Sequence, residues 1–271
     1  MNGKELLEKM KRDDVVLSMS LRLGMGNPAI EAAKKTGFDF IYIDFEHGVM
    51  EMETFAGIVR EARLYDLLTL CRAPGLDVGF VNRVLDAGAN GVVFPHIMSR
   101  EDAVRAVELL KFRTEDIDFG KRGFEPAYGL MKLDGEDWEG YFRRVNDETL
   151  VGLMIEDREG VENIEDILSV KGVDIVYIGK MDMAFSYGVP FTPLAGKDDP
   201  IIEAAIEKIC SECDKKGIPV RFTVGRSPAE IVPNANRWIE KGRAKLFMVN
   251  DQALLIQGAR EYAKALREGL E

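Results

Sequence analysis

Only two histidines, His47 and His96, and three cysteines occur among the 271 residues. A zinc site of the Cys/His kind needs about four such ligands, so five scattered candidates argue against one. A metal, if bound, is expected to sit mainly on carboxylates. So sparse and odd a cysteine count fits a reducing compartment. No run of about 18 apolar residues is present to span a bilayer. The first residues, MNGKELLEKMKRDD, are charged and lack the apolar stretch of a secretory signal. A cytoplasmic location is therefore expected. Positive charge is in deficit, 36 Lys and Arg against 47 Asp and Glu, for a net of −11. That balance argues against nucleic acid or an anionic membrane as the main partner. Also missing are a Gly-x-Gly-x-x-Gly fingerprint, a Gly-x-Ser-x-Gly elbow and a Gly-Lys-Ser/Thr phosphate loop.

What is present is alternation. Short apolar runs at 15–21, 38–44, 68–73, 91–95, 151–155, 174–178, 219–224 and 245–249 are each followed by a segment of helical period. Runs that are nearly all apolar suit parallel strands buried on both faces. Asn27 and Pro28 mark one helix start. Ser99 with Asp102, and Ser227 with Glu230, have capping-box spacing. Ile201, Ala205, Ile206, Ile209 and Cys213 form an apolar stripe at helical spacing. Eight strand–helix rounds in a chain of this length predict a (β/α)8 TIM barrel, one domain over 1–271. The stretch 112–150 is an irregular insertion between the fourth helix and the fifth strand, with a short helix expected at 137–146. A long amphipathic helix over 252–271 closes the chain. Cys210 and Cys213 match C-x-x-C but lie well inside a helix, where a redox pair is not expected.

Active sites of such barrels lie at the carboxyl ends of the strands. There the sequence places Asp44-Phe-Glu-His-Gly48, Arg72, His96, Glu156-Asp157, Gly179-Lys-Met-Asp182 and Asn250-Asp251. Glu156 and Asp182 end neighbouring strands, and two converging carboxylates repel unless a cation lies between them. A hard divalent metal would satisfy them; so would solvation at the rim, or pairing with Lys180. His47 reads as a general acid or base oriented by a carboxylate such as Asp44, or as a hydrogen-bonded rim residue. Arg72 follows a buried run and needs an anion. That anion is either a substrate carboxylate or enolate, or Asp44 or Glu46. His96 reads as structural or substrate-lining. The turn at Gly179 could cradle a carboxylate on its amides.

These residues together resemble the HpcH/HpaI family of metal-dependent pyruvate aldolases. The likeness runs through Phe38-Asp-Phe-Ile-Tyr-Ile-Asp-Phe-Glu-His-Gly48, Arg72, Leu85-Asp-Ala-Gly-Ala-Asn-Gly-Val-Val-Phe-Pro95, Arg122-Gly123, Glu156 and Val173-Asp-Ile-Val-Tyr-Ile-Gly-Lys-Met-Asp182. It implies a divalent metal (Mg, Mn, Co or Zn) on Glu156 and Asp182. It implies a 2-oxo acid carboxylate on the turn from Gly179 through Met181 to Asp182. Arg72 would stabilise an enolate, and His47, held by Asp44, would act as acid and base. The activity implied is reversible retro-aldol cleavage of a 4-hydroxy-2-oxo acid to pyruvate and an aldehyde. The resemblance also implies a homo-oligomer, a hexamer exchanging its last helices, with Asp86 near a neighbour's site. The chain departs from the family at Met154, where Gln is common, at Lys180 in the turn, and before Arg122. An acyl-CoA lyase of the citrate-lyase kind and a non-catalytic metabolite-binding barrel are the competing readings.

Overall fold

The computed structural model describes residues 1–12, 14–22, 26–125, 137–189, 199–222, 228–240 and 246–270. Eight parallel strands pair in sequence order and close into a barrel. They are β1 (Val16–Leu21), β2 (Phe40–Asp44), β3 (Leu68–Arg72), β4 (Gly91–Phe94), β5 (Leu150–Ile155), β6 (Ile175–Ile178), β7 (Val220–Phe222) and β8 (Leu246–Asn250). Helix α1 (Gly3–Lys11) precedes β1; α2 (Asn27–Lys35), α3 (Met52–Leu64), α4 (Val78–Ala87) and α5 (Arg100–Leu110) follow the first four strands. Beyond them lie α6 (Trp138–Glu148), α7 (Arg158–Glu162), α8 (Ile164–Ile167), α9 (Lys180–Ser186), α10 (Pro200–Lys216), α11 (Pro228–Glu240) and α12 (Asp251–Gly269). The predicted barrel and all eight strands are thus present. The ends differ by a few residues where pairing stops short of the apolar run. The expected Ser227 cap lies outside the described residues.

Side-chain alternation along the strands separates two cores. Ile41, Ile43, Val92, Phe94, Val151, Leu153, Val176 and Phe247 point outward and pack with the helices. Phe40, Tyr42, Leu68, Leu70, Val93, Met154, Ile175, Tyr177 and Leu246 fill the bore. Leu6 and Met10 of α1 join this inner cluster and seal its amino-terminal end. Three inward series continue past the last apolar residue onto a charged one. Phe40 and Tyr42 lead to Asp44, Leu68 and Leu70 to Arg72, and Met154 to Glu156. Register fixes their height, since Asp44 and Arg72 are direct partners across β2 and β3.

Ser99 caps α5 through the Asp102 amide, and Asp102 answers at the Ser99 amide, completing the expected box. On α10 the buried stripe is Ile202, Ala205, Ile206, Ile209, Cys210 and Cys213. Ile201 is 51 % exposed. It sits on the flank of this stripe, so Ile202 takes the place assigned to it. The stretch 112–150 is more ordered than its composition suggests in its described parts. Asn146 clamps Phe112, accepting from its N–H at 2.7 Å and donating to its carbonyl at 2.8 Å. Phe112, Phe124, Trp138, Tyr141 and Phe142 cluster around that clamp.

Lys111 is buried beneath it. Its ammonium donates to the Asn146 and Thr149 carbonyls, both at 2.6 Å, and stands 3.4 Å from Asp174. Replacing Lys111 by Met leaves two buried carbonyls and a carboxylate without their cation. Lys111→Met should lower urea-unfolding stability by about 3 kcal/mol.

Candidate active site

Asp44 is 2 % exposed and organises the carboxyl end of the bore. Arg72 grips it with a two-pronged fork, Nε to Oδ1 at 2.9 Å and Nη2 to Oδ2 at 2.6 Å. The Glu46 and His47 amides also donate to Oδ1, at 3.1 and 3.3 Å. Arg22 approaches Oδ2 at 3.3 Å. Burial alone would push the Asp44 carboxyl up. The Arg72 hydrogen bonds and charge outweigh it and hold the group below its ordinary value. Arg72 reaches onward with Nη1, to Glu46 Oε2 at 2.5 Å and Met154 Sδ at 3.7 Å. Of the partners open to Arg72 in the sequence, the structure supplies Asp44 and Glu46 together.

Two expectations change here. Asp44 holds the main-chain amide of His47 and not its imidazole, because its oxygens are taken by Arg72 and the turn. The His47 ring is 61 % exposed, and its nearest carboxylate is Glu46 at 4.0 Å. His96, read as structural or lining, lies among the carboxylates. Its backbone takes φ 53°, a left-handed conformation that histidine adopts more readily than most residues. Its amide then donates to Glu156 Oε1 at 3.0 Å, while Nδ1 meets Asp157 at 2.9 Å and Nε2 meets Glu46 at 3.3 Å. Burial opposes the charged ring, but Asp157, Glu156 and Glu46 raise its pKa overall.

Glu156 is 1 % exposed, so the solvated-rim alternative fails for it. Burial first, then the Glu46 and Asp182 charges, push its carboxyl up to about 7 against the His96 amide and ring. Its Oε2 is buried without a hydrogen-bond partner among the described residues. A Cβ on Gly179 would overlap Oε2 and the Glu156 Cβ. The glycine therefore makes room for the carboxylate. The Gly179 amide itself is spent on the Ile155 carbonyl at 3.1 Å. The later amides of the turn belong to Met181 and Asp182, which line the same cavity as Glu156.

Glu46, His96 and Glu156 offer ligand atoms within 4.8 Å of one another, a group that could hold a metal ion. Asp182 lies in the first turn of α9, outside this triad, but lines the same cavity as Glu156. That cavity has a volume of about 440 Å³ and also exposes Asp44, His47, Arg72, Met181 and Lys180. An unpaired buried carboxylate oxygen amid further oxygen and imidazole donors fits a divalent cation. Arg22, Tyr42 and Arg221 also line the cavity and were not singled out in the sequence. Strand parity could have found them, since Arg22 continues the inward series Val16, Ser18, Ser20, and Arg221 is the inward residue of β7.

In the metal-free protein Glu156 has an ordinary value of 4.5 unfolded and about 7 folded. Its contribution to stability is full below about pH 4.5 and is lost as pH rises through 7. The stability difference between wild type and Glu156→Gln, from urea unfolding, should decline over that window; a flat difference would contradict it.

The HpcH/HpaI aldolase/citrate lyase family model matches residues 23–240. The hydroxypyruvate/pyruvate aldolase of Paraburkholderia phytofirmans is 30% identical over 220 residues, 79% of this chain and 80% of the relative. The 2-dehydro-3,6-dideoxy-6-sulfogluconate aldolase of Pseudomonas putida is 28% identical over 258 residues, 95% of each. The crystal structure of an HpcH/HpaI aldolase from Desulfitobacterium hafniense superposes with a TM-score of 0.83 at 26% identity, covering 97% of this chain and 96% of that one. Barrel, rim chemistry and likeness agree: the chain belongs to the HpcH/HpaI aldolase/citrate lyase family and is a carbon–carbon lyase of the aldolase kind.

Proposed function

We propose that the protein catalyses reversible, metal-dependent retro-aldol cleavage of a 4-hydroxy-2-oxo acid to pyruvate and an aldehyde. The observation that carries this reading is the buried Glu156 carboxylate, with one oxygen unpaired, facing the same cavity as the Arg72–Asp44 fork. Glu156 and Asp182 would hold a divalent cation (Mg, Mn, Co or Zn), with Glu46 and His96 within reach of Glu156. When bound, the cation supplies Lewis-acid polarisation of the 2-oxo group.

The chain's own groups do the rest. The turn from Gly179 through Met181 to Asp182, a helix start without a side-chain cap, receives the substrate carboxylate. His47, exposed at the mouth, takes the proton of the C4 hydroxyl through water. The C3–C4 bond breaks, the aldehyde departs, and its electron pair passes into the C2 carbonyl to give an enolate. Arg72 faces that developing charge, and Asp44 keeps its guanidinium rigid. Protonation at C3 releases pyruvate. No lysine imine is needed, and the buried Lys111 is committed to main-chain carbonyls instead.

The same reading places the enzyme in the cytoplasm as a homo-oligomer, a hexamer. The three cysteines are buried thiols, and no described helix is long and apolar enough to cross a membrane. Along α12, Leu254, Leu255, Ile256, Tyr262 and Leu266 are exposed, an apolar face suited to another subunit.

Chelator-stripped enzyme should lose pyruvate release from a 4-hydroxy-2-oxo acid, and Mg, Mn, Co or Zn should restore it. Full activity without metal would overturn the reading. Arg72→Lys keeps the charge but loses the fork, so kcat should fall about 100-fold in steady-state assays of the refilled enzyme.

A further inference from the structure

The amino-terminal end of the barrel carries a second cavity, of about 320 Å³. It lies on the face away from the catalytic mouth. Asn90 precedes β4 and Thr149 precedes β5, whereas Asp44, Arg72, Glu156 and Asp182 lie at or past the carboxyl ends of their strands. Three arginines line it, Arg63, Arg122 and Arg144, against one carboxylate, Glu148. Glu148 is already engaged, 3.3 Å from Arg144 and bonded by Asn2 at 3.2 Å. In a chain of net charge −11 this is a local excess of positive charge.

Arg122 is the unusual member. Its guanidinium lies over the Phe112 ring at 4.7 Å. Nη1 donates to the Thr149 hydroxyl at 3.1 Å. No carboxylate among the described residues stands within 4.0 Å of it. Burial pulls its pKa down to about 10, against the opposing effects of Tyr141 and Asp86. A guanidinium has five N–H donors, and a half-buried one with few partners is left with donors to satisfy. The remaining donors of a planar fork match a planar or tetrahedral oxyanion. Arg63, exposed at the edge of the same cavity, adds a second cation.

We propose that this cavity binds a small metabolite through an oxyanion group, carboxylate or phosphate, held by Arg122 with Arg63 at its mouth. The site is separate from the catalytic one and does not depend on the reaction assigned there.

Calorimetric titration of the intact protein with inorganic phosphate and with malonate, at constant ionic strength, tests it. Saturable binding of at least one probe is expected, and the tighter probe identifies the oxyanion. Arg122→Gln should weaken that binding about tenfold or more. Arg63→Gln should weaken it by a smaller factor. Arg72→Lys, on the other face, should leave it unchanged while impairing catalysis, which keeps this outcome distinct from that of the aldolase reading. Absence of saturable binding by either probe, or equal affinity in wild type and Arg122→Gln, overturns the proposal. If Arg122→Gln does not fold, Arg63→Gln decides, and unchanged affinity there overturns it.

Discussion

The Arg72–Asp44 pair is the contact on which the catalytic end of the barrel depends. Removing two charges from water costs several kcal/mol for each. Coulomb attraction offsets that only when geometry is good and other lone pairs are filled. The β2–β3 register sets the two residues opposite one another, and the turn after β2 folds its amides back onto Asp44. That turn in turn carries Glu46 to Arg72 and His47 to the rim. A chain of dependence therefore runs from strand pairing, through one ion pair, to the placement of a candidate ligand and a candidate proton carrier. Only a negative group as buried as Asp44 would let a guanidinium rest at the floor of an acidic cavity.

Much of this was legible in the sequence. Strands that face both a bore and a helical shell are apolar along their length, so all eight stood out. Strand ends then point to Asp44, Arg72, Glu156 and Asp182, which line one cavity. What resisted reading was three-dimensional convergence. Asp44 lies near His47 in sequence, yet its oxygens serve Arg72 and main-chain amides. His96 resembles a lone rim histidine until its left-handed backbone brings it among Glu46, Glu156 and Asp157. In the sequence Gly179 suggests an amide donor, whereas its missing side chain is what matters beside Glu156. Arg22 and Arg221 are hard to single out because one follows and the other interrupts an apolar run. Helix phase also misled at Ile201, where one position of rotation separates a buried stripe from its flank.

The two ends of the barrel use charge differently. At the carboxyl end cations and carboxylates are interleaved, and each raises or lowers the affinity of the next for a proton. At the amino-terminal end Lys111 and Arg122 are drawn into the clamp formed by Phe112, Asn146 and Thr149, where main-chain carbonyls and an aromatic face join the Asp174 carboxylate as partners. The insertion 112–150 thereby acts as a strut in its described parts, which its polar composition did not suggest.

Helix α1 sets a limit on traffic. With Leu6 and Met10 packed into the bore beneath Phe40, Leu68 and Leu150, the barrel is a blind well. Substrate enters and both fragments leave by one mouth. Departure is therefore queued: the fragment seated deeper leaves second, and in the synthetic direction it must be loaded first.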